Sequence, residues 1–346
     1  MYLKNIGNAG VDLFFVLSGY LIYGTLIKRE KPFFLYIRRR IQRIYPTFLV
    51  VFILNIVLSL VFPVESKFPD GLFLSLIYII ENLLLLPRLF KIDPIITVAW
   101  SLSYEFFFYL LIPVFLSAFG IRMWSSHARL IFFLAVSLIG FTVFWFEDGH
   151  IRLLMFVVGI VLYETLDCTQ YQPPPISGLF AIVVACVAMI AILDFELSDW
   201  LQFITLYLSI FLLCWDCFAS SSMISKLFSI APFRWYGNMS YSYYLIHGIT
   251  LKGSFVVLAI TFPSDYSANE LFRIMLLPMF ISTLIPATIL FIFVEKPYSL
   301  LSEMRASVYK KVSMLRALAG MDIFKFWIMG SGYWSHDRLI LKHRHF

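Results

Sequence analysis

An all-α, polytopic membrane helix bundle is the fold class this sequence predicts, and three observations predict it. Of its 346 residues, 61% are hydrophobic and 14% charged, against about 45–50% and about 25% in soluble domains. Mean hydropathy is +0.86. Apolar runs of near-spanning length recur about nine times between polar breaks. Too few polar residues remain to cover a sphere of this size. The composition therefore excludes a soluble globular protein, a disordered chain and a disulfide scaffold.

A hydrocarbon core of about 30 Å takes roughly 20 apolar residues per helix. Spans are expected near 11–27, 46–63, 99–119, 129–146, 151–166, 176–194, 199–218, 240–260 and 272–294. A further apolar stretch, 71–87, contains Glu81 and Asn82 and is expected to lie along the interface. The breaks carry turn chemistry: Pro63, Glu147-Asp148-Gly149, Pro173-Pro174-Pro175, Ser220-Ser221-Ser222 and Pro263-Ser264-Asp265. Pro113, Pro278 and Pro286 fall inside spans, which a packed bundle tolerates. No internal repeat or barrel-type alternation is evident. The first run has no small-residue cleavage site after it, so it is expected to stay in the membrane.

Net charge is +6, from 27 Lys+Arg and 21 Asp+Glu. In a membrane chain the cations report sidedness, not nucleic acid. With segment 28–45 placed inside, the inside segments hold 20 of the 27 cations. That orientation puts the C-terminus in the cytosol. Two regions follow: a bundle over 1–300 and a basic, aromatic tail over 301–346, read as a cytosolic or membrane-surface segment. Cys214-Trp-Asp-Cys217 has redox-motif spacing without the surrounding pattern, and reads as ordinary helix cysteines. No paired metal-ligand spacing, phosphate loop or hydrolase motif is present.

An ionisable group inside a span costs about 2.5–3.5 kcal/mol on insertion scales, so each calls for a reason. Asp12 opens the first span, where a helix cap explains it as well as chemistry does. Glu105 lies in Trp100-Ser101-Leu102-Ser103-Tyr104-Glu105, where a carboxylate must be protonated or paired. His247 follows Ser240-Tyr241-Ser242-Tyr243-Tyr244; a lone membrane His is more often a hydrogen-bonded core residue than a catalyst. The run Arg38-Arg39-Arg40-Ile41-Gln42-Arg43 precedes a span. It serves topology and anionic-lipid contact, or binds the phosphates of a cytosolic donor.

Five segments, in order, resemble one family. Gly10-Val11-Asp12-Leu13-Phe14-Phe15-Val16-Leu17-Ser18-Gly19-Tyr20 resembles the opening of the second helix of acyltransferase family 3, the integral-membrane O-acyltransferases of cell-surface glycans. Arg39-Arg40-Ile41-Gln42-Arg43-Ile44-Tyr45-Pro46 resembles its arginine motif. Trp100-Ser101-Leu102-Ser103-Tyr104-Glu105-Phe106-Phe107-Phe108-Tyr109 resembles its W-S-L-x-x-E-x-x-F-Y helix. Tyr236-Gly237-Asn238-Met239-Ser240 through His247, and Val294-Glu295-Lys296-Pro297, resemble its later blocks.

The resemblance implies a ten-helix bundle whose first helix carries an Arg and a His taken as general base. This chain begins at what resembles the second helix, so about nine helices are expected and the family's His has no counterpart. It implies an acyl group, expected to be acetyl, passing from cytosolic acyl-CoA near Arg39, Arg40 and Arg43 to a hydroxyl of a cell-surface or lipid-linked glycan. Glu105, Asp12 and His247 are then the catalytic candidates, with His247 or Glu105 as substitute base. Asp12 and Glu105 are expected in the outer half and His247 in the inner half. The resemblance implies no cofactor beyond the acyl-CoA co-substrate, no metal, no nucleic acid, and a place in the cytoplasmic membrane. The alternative is a truncated, catalytically inactive homologue acting as a transporter or assembly partner in polysaccharide export.

Overall fold

A computed structural model describes residues 2–62, 66–146, 150–169, 171–195, 199–219, 222–261 and 268–300. Eleven helices account for most of them, with no strand among the described residues. They are α1 (Tyr2–Lys28), α2 (Phe33–Val61), α3 (Leu72–Leu83), α4 (Trp100–Ala118), α5 (Ser126–Phe146) and α6 (Leu154–Cys168). Then come α7 (Ser177–Phe195), α8 (Asp199–Ala219), α9 (Met223–Ser229), α10 (Ala231–Thr261) and α11 (Ala268–Leu290), the last continuing as a π-helical segment Phe291–Leu300. The expected breaks at Pro63, 147–149, 220–221 and 263–265, and the basic tail 301–346, lie outside the described residues.

The all-α bundle is the predicted class, but the spans differ in detail. Among the described residues, six helices are long and apolar enough to cross a membrane. The other three expected spans differ among themselves. α6 has 15 residues, about 22 Å at 1.5 Å each; its run Leu154–Phe156 and Val158–Glu164 is buried, so protein and not lipid surrounds it. α7, Ser177–Phe195, is an apolar helix of 19 residues. α10 is long, at 31 residues, and carries Arg234, Asn238 and a run of Ser and Tyr in its first half. The 71–87 stretch forms the 12-residue α3, too short to span.

Local chemistry fixes the ends. Pro32 precedes α2 in an extended conformation, so the helix starts at Phe33 and takes in the whole arginine run. The sequence expected those arginines ahead of the helix; nothing between Phe33 and Pro46 breaks it, and Pro46 itself is accommodated. α4 ends at Gly120, which takes the left-handed conformation at φ +59°. Asn82 holds the loop after α3, its Oδ1 accepting from Ile95 N at 2.7 Å.

The core centres on α1 against α6. They cross at Gly19 and Gly159, where a Cβ on the first would overlap the Phe156 carbonyl and one on the second the Val16 carbonyl. Small residues of this kind let helix backbones approach closely in membranes. Around the crossing, Phe15 stacks on Phe156 at 4.6 Å and Phe156 on Phe108 at 4.4 Å, which ties α4 to the pair.

Gly19→Ala is expected to destabilise the bundle by about 1–3 kcal/mol, since neither contacting backbone has room. Gly237→Ala, with nothing within 4 Å of the added carbon, is expected to be neutral or slightly stabilising. Thermal unfolding in one detergent compares the two.

Candidate active site

α4 lays a polar line through the bundle. Ser101, Tyr104, Glu105 and Tyr109 recur at helical spacing and are all buried, so they share one face. Their contacts outside α4 reach Ser18, Arg40, Tyr244 and His150.

Glu105 is the hub. It is 4% exposed, and its Oε1 accepts from Ser18 Oγ of α1 at 3.0 Å and from the Tyr109 hydroxyl one turn along. Arg40 of α2 lies over both the Tyr109 and Tyr36 rings, 5.4 Å from each centroid. Its Nε is buried without a hydrogen-bond partner, as is the Tyr36 hydroxyl. The charges of Arg40 and Arg43 both reach the Glu105 carboxylate. Arg43 is exposed yet also acts on Glu295. Arg39 is half-buried and takes no part in the Glu105 hydrogen bonds.

α10 closes the site from the other side. Tyr241 donates to the Ile44 carbonyl of the arginine segment at 2.8 Å. Tyr244 donates to the Val98 carbonyl at 2.8 Å and accepts from Ser101 Oγ at 2.9 Å. Ser242 donates through N and Oγ to Glu295 Oε2, at 3.1 and 2.5 Å. Ser18, Ser101 and Ser242 thus tie three segments to their neighbours, and the Ile44 carbonyl ties the arginine segment to α10.

Asp12 sits apart. It is 2% exposed and lies six residues before Ser18, about 9 Å along α1. Arg152 Nε stands 3.7 Å from its Oδ1, with the guanidinium 5.3 Å from the Trp100 ring centroid. Asp12 thus has partners separate from those of Glu105: Arg152 and Trp100 stand by the first, Ser18, Tyr109 and Arg40 by the second.

Within α10, His247 Nδ1 lies 3.1 Å from the Tyr243 carbonyl, and its ring stacks on Tyr243 at 5.4 Å. Three residues before it, Tyr244 bonds Val98 and Ser101 at the start of α4. The three catalytic candidates do not converge on one point.

Sequence reasoning passed over several participants. His150 Nδ1 is 2.6 Å from the Tyr104 hydroxyl, and Arg152 holds Asp12. The available signal was position, since helix alternation puts the 147–152 connection at the same end as Asp12. A second buried pair, Arg129 Nε to Glu164 Oε1 at 2.6 Å, was equally unmarked. Tyr23 donates to the same oxygen, and Arg129 also donates to the Trp124 carbonyl at 2.7 Å and Ser126 Oγ at 3.0 Å. This network ties α1, α5 and α6 together.

Beside Tyr36, a cavity of about 840 Å³ opens between the end of α1, the start of α2 and the end of α4. Leu26, Lys31, Phe33, Tyr36 and Arg122 line it. Arg122 is held there by the Leu26 carbonyl at 3.1 Å and by Glu30 at 3.6 Å. A polar hub, an arginine face and a cavity beside them thus lie together within the bundle.

Comparison with known proteins agrees. The profile of the acyltransferase domain matches residues 1–295, and the chain belongs to that family of multi-pass membrane proteins. It is 25% identical over 327 residues to the peptidoglycan O-acetyltransferase OatA of Listeria monocytogenes, covering 84% of this chain and 51% of that protein. It is 27% identical over 334 residues to the putative peptidoglycan O-acetyltransferase YrhL of Bacillus subtilis, covering 85% and 50%. It is 27% identical over 205 residues to the exopolysaccharide production protein ExoZ of Rhizobium meliloti, covering 56% and 62%. The chain thus spans about half the length of the first two relatives and under two thirds of the third. No solved structure matches significantly.

The two arginines separate stability from the candidate chemistry. Arg129→Ala leaves the Glu164 carboxylate buried and unpaired and is expected to cost about 3–5 kcal/mol. Arg40→Ala breaks no hydrogen bond of Arg40 Nε and is expected to lower thermal stability much less. Melting of the purified variants in detergent checks the order.

Proposed function

We propose that the protein is a membrane O-acyltransferase that moves an acyl group, acetyl in the first instance, from acyl-CoA to a hydroxyl of a cell-surface or lipid-linked glycan. One observation carries the proposal: the five family-like segments are joined by direct hydrogen bonds and charge around Glu105. A purely structural role would not call for a half-buried Arg40 whose Nε is buried without a hydrogen-bond partner.

The donor enters at the arginine end. Arginine forks bind phosphate oxygens bidentately, and Arg39, Arg40 and Arg43 share a face of α2 by helical register with Tyr36. The 840 Å³ cavity beside Tyr36 gives room for a thioester arm. This end is assigned to the cytosol by the positive-inside bias. The acceptor approaches the Asp12 end, where Arg152, Trp100 and Tyr244 present ring faces, cation and hydroxyl of the kind a sugar meets.

In the transfer, the acceptor oxygen bonds to the acyl carbon and gives up its proton, the carbon–sulfur bond breaks, and the departing thiolate takes up a proton to leave as the free thiol. Negative charge builds on the carbonyl oxygen, and fixed donors near it lower the barrier. Arg40, with its unused Nε, supplies such a donor. Glu105 orients it through Tyr109 and holds Ser18 in place. The names of the relatives, two peptidoglycan O-acetyltransferases and an exopolysaccharide production protein, support a glycan acceptor.

The test is transfer of labelled acetyl from acetyl-CoA to a glycan acceptor by the protein in lipid nanodiscs. Arg40→Ala and Glu105→Ala are each expected to lower the rate by about 10²-fold or more while the protein stays monodisperse. Wild-type protein that binds glycan but neither hydrolyses nor transfers acetyl would favour the export-partner reading instead.

A further inference from the structure

Two buried hydrogen-bond donors on α2 lack a partner one helical turn apart: the Tyr36 hydroxyl and Arg40 Nε. Their i, i+4 spacing puts them on one face of the helix. The Arg40 guanidinium stands 5.4 Å from the Tyr36 ring centroid, and the charges of Arg40 and Glu105 both reach the Tyr36 hydroxyl. A buried donor left unsatisfied costs about 1–3 kcal/mol, so two within one turn call for a reason.

The cavity of about 840 Å³ supplies one. Of its α2 wall, formed by Pro32, Phe33 and Tyr36, Tyr36 lies furthest along the helix, about 6 Å of helix rise short of Arg40. It is 2% exposed. A ligand held in the cavity therefore meets Tyr36 on the way to Arg40, while Lys31 and Arg122 add cations to the same wall. Tyr36 lies outside the five family-like segments.

Resting on the acyltransferase reading, we propose that the Tyr36 hydroxyl is a catalytic residue: with Arg40 Nε it forms a two-donor site for the carbonyl oxygen of the acyl thioester. As the acceptor oxygen bonds to the acyl carbon, the carbonyl electron pair moves onto that oxygen. Tyr36 O–H and Arg40 Nε–H both donate to it. The pair then returns, the carbon–oxygen double bond re-forms and the carbon–sulfur bond breaks. The acceptor's proton ends on the departing thiol, and Tyr36 keeps its own. Neither donor has a hydrogen bond to the protein to give up first, so both are preorganised for the charge that develops.

Tyr78 provides the internal comparison. Its hydroxyl is also buried without a partner, but it lies on α3, outside the cavity wall, with its ring edge-on to Phe68 at 5.7 Å.

The experiment measures kcat and KM for acetyl-CoA in the labelled-acetyl assay, and thermal unfolding, for Tyr36→Phe and Tyr78→Phe. Tyr36→Phe is expected to lower kcat by about 10²-fold with KM held within about two-fold. Its melting temperature should stay level or rise, because the change removes an unpartnered hydroxyl and keeps the ring. Tyr78→Phe should match that stability result and keep the wild-type kcat. A wild-type kcat in Tyr36→Phe, or a raised KM alone, overturns the assignment and leaves the transferase reading standing. So does a rate loss that Tyr78→Phe shares or that comes with a lower melting temperature. Absence of transfer by wild-type protein overturns both.

Discussion

The buried polar contacts of α1 are registered against one close approach, the crossing of α1 and α6 at Gly19 and Gly159. Each glycine faces a backbone carbonyl of the other helix, so neither tolerates a methyl group. The contact sets how near α1 lies to the centre and fixes the rotation of its side chains. Ser18, one residue from the crossing, then faces Glu105. Asp12, about 9 Å earlier on the helix, faces Arg152. Tyr23, on the other side of the crossing, reaches Glu164. Three separate polar contacts follow from a single approach of two backbones.

Buried charge in such a setting needs partners, and the bundle supplies them in two ways. Arg129 and Glu164 are bonded to each other and to several fixed acceptors or donors, which makes them a tie between helices. Arg40 is different: it lies between two aromatic rings, its charge reaches Glu105, and its Nε is unused. Glu164 Oε2 is also left without a partner, so the contrast lies in the guanidiniums: Arg129 spends its donors on fixed acceptors, whereas Arg40 Nε does not. The contrast separates the structural network from the candidate site within one bundle.

The fold class was legible because composition and apolar run length are one-dimensional properties. Glu105, Asp12 and the arginines were legible as well, since an ionisable group in an apolar run stands out residue by residue. Three things were not. The surroundings of His247 depended on how α10 packs on α4, which the Tyr244 bonds to Val98 and Ser101 set. The arginines read as a flank because charge suggests solvent, yet Tyr36 and the α4 face give them an aromatic and acidic setting inside the helix. His150 and Arg152 sit in a short connection that looks like a turn. Their importance comes from Tyr104 and Asp12, which are 46 and about 140 residues away and come near only through helix packing.

The central claim is that the α1–α6 crossing serves the site through the hold of Ser18 on Glu105. The most direct measurement is the acetyl-transfer rate of Gly159→Ala in the wild-type and Ser18→Ala backgrounds. If the crossing acts through that hydrogen bond, Gly159→Ala slows the wild-type protein but adds little once Ser18 is replaced, a non-additive pair. Equal rate losses in the two backgrounds would show that the crossing and the Ser18–Glu105 contact are independent, and would contradict the account.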